Sequence, residues 1–185
     1  VREDIMPVGV KRKIVFIGRY DHVKGIRELF EAIKSLPISN IEFHFVGPIP
    51  VNKRFNREDI VFHGEIQDTD LIKTILDNCD ALILPSYSEG MPNVVLEAMS
   101  RGLMIMATDV GAIRLLLDES NGIVLSSSQP NDILKGLRSF SDLTNANIDQ
   151  MKRGSLIKVR EEFLWSRIAN RLIESIESIV NRVNG

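Results

Sequence analysis

The run ALILPSYSEGMPNVVLEAMSRGLMIMAT, residues 81–108, carries two apolar stretches, ALILPS (81–86) and LMIMAT (103–108), separated by a proline-led segment of helical character. Each stretch is apolar without in-out alternation, which is what a strand needs when helices cover its sheet on both faces. Pro92 suits the first turn of a helix, where its missing N–H would have no intrahelical partner. The helix is expected over 92–100, with Gly102 as its left-handed stop. Strand, loop, helix and strand in this order make a βαβ unit, and parallel pairing follows.

The same alternation extends outward in both directions. KIVFIG (13–18) reads as a strand and is followed by a polar loop. Ile26, Leu29, Phe30, Ile33 and Leu36 then recur at helical spacing. IEFHFVG (41–47) and IVFHG (60–64) are further strands, and a helix over 68–78 carries Leu71, Ile72, Ile75 and Leu76. Past the opening run come a short helix in GAIRLLL (111–117), a strand in GIVLS (122–126) and a helix in NDILKGLRSF (131–140). The stretch 144–183 is helical throughout, with an apolar stripe of Ile168, Leu172, Ile176, Ile179 and Val183. The fold class is α/β, a doubly wound, Rossmann-like parallel sheet.

Composition narrows the function classes. The 185 residues suit one domain, with C-terminal helices from about 144. Basic and acidic residues number 23 and 25 without long like-charged blocks, so a nucleic-acid surface is not indicated. Apolar runs fall well short of the roughly 18 residues of a membrane span, and no transmembrane segment or secretory leader is expected. The single cysteine, Cys79, reads as a small buried residue in a cytoplasmic protein rather than a reactive thiol. The chain opens on Val1, as a piece of a longer protein would.

In an open parallel sheet, ligands bind beyond the C-terminal strand ends, where helix N-termini present free amides. The loop after the first strand, Gly18 to Gly25, lacks both the Gly-x-Gly-x-x-Gly fingerprint and a P-loop Gly-Lys-Ser/Thr. It offers Arg19 and Lys24 instead, two cations able to clamp a diphosphate; taken alone, the loop reads more simply as a pair of solvated charges. After ALILPS, Glu89 precedes a helix start and Glu97 projects from its second turn, with both able to face one crevice. A carboxylate can accept two hydrogen bonds at once, which suits paired sugar hydroxyls. Taken alone, the two glutamates do no more than complement a helix dipole and solvate a helix face.

The conjunction of Arg19-x4-Lys24 with Glu89-x7-Glu97 resembles the C-terminal half of the GT-B retaining glycosyltransferases, glycosyltransferase family 4 (glycosyl transferases group 1). This group includes sucrose and glycogen synthases and bacterial polysaccharide and lipid glycosyltransferases. The likeness runs from VFIGRYDHVKGIRELFEAI (15–33) through residues 84–117 and NGIVL (121–125) to EEFLW (161–165). It implies that Arg19 and Lys24 bind the donor diphosphate, that Glu89 contacts the donor sugar and that Glu97 binds the ribose. It further implies contacts from Gly18, from Gly90, Met91, Asn93 and Val94 around the helix start, and from Gly64, Glu65 and Ile66 of HGEI beside the nucleobase. Catalytic roles would then fall to Glu89, Arg19 and Lys24. His63 has a plain reading as a half-buried strand residue, and His22 and His44 as structural or surface residues. Where the family often carries an acidic residue after a Gly-Gly turn, this chain has Leu115.

The resemblance implies a hexosyltransferase that moves sugar from a UDP-, GDP- or ADP-sugar to a glycan or lipid-linked acceptor, without metal or other cofactor. It also implies a partner: an N-terminal acceptor-binding half, absent from these residues, without which transfer would not proceed. Localisation would be cytoplasmic, with peripheral membrane contact open to the full-length enzyme. Two other functions compete. One is a non-catalytic nucleotide-sugar-binding subunit or sensor. The other is a glycoside hydrolase using Glu89 and Glu97 as acid and nucleophile, which would leave Arg19 and Lys24 without a role.

Overall fold

The computed structural model describes residues 1–37 and 40–183, with side chains through 177 and at 179. Its six strands are β1 (Arg12–Ile17), β2 (Ile41–Val46), β3 (Ile60–Gly64), β4 (Ala81–Leu84), β5 (Met104–Thr108) and β6 (Gly122–Leu125). They form one sheet in the order β3-β2-β1-β4-β5-β6, and every neighbouring pair is parallel. The chain lays β2 and β3 to one side of β1, then returns to add β4, β5 and β6 on the other. The loops after β1 and β4 therefore leave the sheet side by side, at the topological switch point where such folds hold ligands.

The described residues form seven α-helices: α1 (Ile26–Ser35), α2 (Thr69–Asp77), α3 (Asn93–Ser100), α4 (Ile113–Leu116), α5 (Pro130–Asp142), α6 (Asn145–Lys158) and α7 (Trp165–Val183), the last of them exposed along its described length. Alternate strand residues supply two separate cores. Ile14, Phe16, Phe43, Phe45 and Ile83 pack with Leu29, Phe30 and Ile33 of α1 and Ile133, Leu137 and Phe140 of α5. Val15, Val46, Leu82, Leu84 and Ile105 pack on the other face with Leu76 of α2, Val95 and Met99 of α3 and Leu116 of α4. Helices on both faces explain why the strands are apolar without alternation.

Local chemistry sets the helix ends. The Asp68 carboxylate accepts from the amides of Asp70 and Leu71 and starts α2. Thr144 and Asn147 form a reciprocal capping box at α6. Pro92 does not occupy the first turn of α3 as expected. It is extended (φ −76°, ψ 101°) and serves as the N-cap, so the helix begins at Asn93. Gly102 follows the helix at φ +78°, the left-handed stop read from the sequence.

The region 144–183 is not one continuous helix. A π-helical turn over Val159–Phe163 leads to Leu164, which is extended at ψ 139°. The Leu164 carbonyl then accepts from the amides of Arg167 and Ile168 and begins α7. Ile168, Leu172, Ile176 and Ile179 are exposed along α7; the side chain of Val183, the last of the expected stripe, lies outside the described residues. Among the described residues no helix is long and apolar enough to cross a membrane.

Opposite the switch point, α6 closes the N-terminal strand ends. Lys152, fully buried, bonds the Asp80 carboxylate at 2.8 Å and the Met6 carbonyl at 2.6 Å. Asp80 uses its other oxygen to accept from the Lys13 amide at 2.9 Å. The lead-in before β1 is fastened here as well, by Arg2 N–H to the Ser100 carbonyl, Val8 N–H to the Asp149 carboxylate, and burial of Ile5.

Candidate functional site

Two loops at the switch point build the site. In the first, the Asp21 carboxylate accepts from the Val23 amide and caps a tight 3-10 turn, His22–Lys24, which projects Lys24 toward the neighbouring loop. Gly25 follows at φ +64°, and its Cα lies so close to β4 that an added Cβ would stand 2.0 Å from the Pro85 carbonyl oxygen. In the second loop, the Tyr87 amide donates to the Val23 carbonyl at 2.8 Å, joining the loops through their backbones.

That junction brings Lys24 and Glu89 together. The Lys24 ammonium lies 2.8 Å from Glu89 Oε1, and the Ser86 hydroxyl donates to the same oxygen at 2.6 Å. The Glu89 side chain is 8% exposed and that of Lys24 26%, so the pair is only partly screened by water. On the outer side, the His22 ring lies 4.6 Å from that of Tyr87, whose hydroxyl donates to Glu28 at 3.1 Å. Behind the loop, the Thr108 and Ser128 hydroxyls both donate to the Ser86 carbonyl.

The other expected site residues stand in different settings. Arg19 shares the loop with Lys24 but is 76% exposed, with Asp21 3.9 Å away. Gly18 closes β1 by donating to the Val46 carbonyl. Gly90, Met91 and Asn93 are exposed at the turn into α3, and Val94 is half-buried against the core. Gly64 ends β3 at φ +75°, Glu65 is exposed, and Ile66 packs on the core between them and α2. Glu97 is exposed one turn further along α3 and lines a cleft of about 340 Å³ with Thr69, Ile72 and Lys73 of α2. The two glutamates thus stand in unlike surroundings: Glu89 held from within by a lysine and a hydroxyl, Glu97 open on the groove between two helices. Leu115 is exposed on α4.

Ser86, Thr108 and Ser128 escaped the sequence reading. Each is a hydroxyl residue at or just past the C-terminal end of an apolar strand, and that placement is the signal that would have found them.

His44 and His63 form a pair of their own at the β2–β3 edge. His44 Nδ1 and His63 Nε2 are 2.9 Å apart, and His44 Nε2 lies 2.7 Å from Glu42, which also faces Lys13. Burial holds both histidines below the ordinary value of 6.5, with Glu42 partly opposing this at His44. The fold therefore favours their neutral forms. Their contribution to stability is complete above the unfolded value and is lost as pH falls through it toward the depressed folded values. Melting temperature should drop as pH falls below about 6.5, and His63→Asn should flatten that drop. An unchanged slope in the variant would show that the pair does not set this pH dependence. Cys79 is no candidate, since burial, helped by Asp80, pushes its thiol up to about 12.

Comparison with known proteins bears on the family and on the fold. The family model for glycosyl transferases group 1 matches residues 11–142. TuaC of Bacillus subtilis, named as a teichuronic acid biosynthesis glycosyltransferase, is 31% identical over 130 residues, covering 70% of this chain and 33% of that protein. Sucrose-phosphate synthase from Thermosynechococcus elongatus superposes with a TM-score of 0.74 at 20% identity, over 93% of this chain and 46% of that one. Anabaena HepE, solved in complex with UDP and glucose, gives 0.71 at 16% identity, over 91% and 49% respectively. The chain spans between 33% and 46% of the length of the curated relatives it matches.

Proposed function

The chain belongs to the glycosyl transferases group 1 family, and from that premise we propose that it is the donor-binding part of a retaining, metal-independent glycosyltransferase. It would bind a UDP-, GDP- or ADP-sugar and hand the sugar to a glycan or lipid-linked acceptor. The acceptor is held by an N-terminal half outside these residues, so that these residues alone bind donor without transferring it. The observation that carries the proposal is the Lys24–Glu89 pair at the switch point, next to the N-terminus of α3. HepE, of the same fold, is solved with UDP and glucose, which supports a nucleotide-sugar donor here.

The chemistry suits the groups present. As the sugar–phosphate bond breaks, its electron pair stays on the diphosphate, which gains negative charge. Lys24, the exposed Arg19 and the free amides opening α3 supply positive charge for that oxygen. Glu89 accepts from hydroxyls of the donor sugar, and Glu97, on the open groove, accepts from the ribose. Retention at the anomeric carbon and independence of metal rest on the family resemblance.

The two carboxylates then separate by experiment. Glu97→Ala should weaken a bare nucleoside diphosphate and its sugar conjugate alike, whereas Glu89→Ala should weaken mainly the conjugate. Each loss of a charge-assisted hydrogen bond should cost about 1.5–3 kcal/mol by isothermal titration calorimetry. Equal effects of Glu89→Ala on both ligands would contradict its placement against the sugar.

A further inference from the structure

We propose that Ser86 is a positioning residue for Glu89, its hydroxyl fixing which carboxylate oxygen faces the donor sugar; this rests on the reading of Glu89 as the sugar-facing group. Both donors that reach Glu89 converge on one atom. Oε1 receives the Ser86 hydroxyl at 2.6 Å and the Lys24 ammonium at 2.8 Å, and among the described residues no hydrogen bond reaches Oε2. Two donors occupy the two lone pairs of Oε1, so Oε2 is the oxygen left to accept from a ligand. Glu89 therefore offers one oriented acceptor, not the two-oxygen fork expected from the residue type alone.

Ser86 is itself held in place. It is fully buried, and its carbonyl receives two hydroxyls, from Thr108 at the end of β5 and from Ser128 in the loop leading to α5, both buried. The C-terminal edge of the sheet thus determines the carboxylate's orientation through a chain of hydroxyls. Lys24 cannot replace this role, because its ammonium is a mobile point charge that the diphosphate also attracts. If the diphosphate draws Lys24 away, the Ser86 hydroxyl is still the neutral, fixed donor on Oε1, and Oε2 still carries the larger free acceptor capacity. The contribution of Ser86 should therefore appear in the affinity for the sugar-bearing ligand and be absent from that for the bare diphosphate.

The test compares UDP with UDP-glucose, GDP with GDP-mannose and ADP with ADP-glucose, using whichever pair the unaltered chain binds. Ser86→Ala should weaken the sugar conjugate by about tenfold and leave the bare diphosphate within about twofold. Thr108→Val, which keeps the side-chain shape and removes one donor to the Ser86 carbonyl, should act in the same direction with a smaller effect. It carries the test if Ser86→Ala fails to fold by circular dichroism. On a Glu89→Ala background, Ser86→Ala should have no further effect on the conjugate, a coupling that a merely structural serine would not give. Equal losses for conjugate and diphosphate, no loss for either, or full additivity with Glu89→Ala would overturn the assignment of Ser86. An unaltered chain that binds none of the pairs would instead overturn the reading of the site.

Discussion

Replacing Lys152 with methionine should lower the unfolding free energy by about 3–5 kcal/mol, measured by urea denaturation, because it strands a buried carboxylate. Lys152 and Asp80 have almost no contact with solvent, and the ammonium bonds both the carboxylate and the Met6 carbonyl. Methionine nearly fills the lysine stem's volume, so little of the loss comes from packing. What it removes is the cation, leaving the Asp80 carboxylate, among the described residues, with the Lys13 amide as its partner. The lead-in loses its Met6 anchor in the same step, so amide exchange should quicken through residues 2–8. A loss below about 1 kcal/mol would mean that water reaches Asp80 and that α6 does not close the sheet as described.

Gly25→Ala should reduce both stability and ligand binding, which sets it apart from Lys152→Met. At φ +64° an L-residue costs about 1–2 kcal/mol in backbone energy alone. The new methyl would also meet the Pro85 carbonyl oxygen at 2.0 Å, so the turn over His22–Lys24 must lift away from β4. Lifting it withdraws Lys24 from Glu89 and breaks the Tyr87 amide bond to Val23. We expect a total loss of about 2–3 kcal/mol in stability together with at least about a tenfold fall in nucleoside-diphosphate affinity. Stability loss with unchanged affinity would show that the Lys24–Glu89 junction is not part of the ligand site.

The fold class was legible because two independent signals coincide: strands such as ALIL and LMIMA apolar on both faces, and helices whose apolar residues recur every three to four positions. Parallel pairing and the switch-point arrangement follow from that alternation. Pro92 was misplaced by one position because proline is compatible with both the N-cap and the first turn, and only the backbone conformation tells them apart. The break at Leu164 carries no proline or glycine to mark it. It arises from the π-helical turn before it, a feature of hydrogen-bond pairing that side-chain periodicity does not report.

Candidate site residues could be named from the sequence, but their contacts could not. Lys24 and Glu89 are 65 positions apart in the sequence, and only the adjacency of β1 and β4 makes them a pair. In the sequence, the different roles of Glu89 and Glu97 rest on the family resemblance alone. The Lys24 and Ser86 contacts at one, and the open groove at the other, separate them. The anchoring of the segment before β1 was not legible, because much of it uses backbone amides and carbonyls, which composition does not show.

The most direct test of nucleotide-sugar binding at the switch point is to map amide chemical shifts of the isotope-labelled chain while titrating UDP-, GDP- and ADP-sugars. One of them should perturb the amides of residues 18–25, 64–66 and 86–97 in a saturable way, with the amides around Lys152 unmoved. No response to any donor, or a saturable response confined to the opposite edge of the sheet, would contradict binding at the switch point.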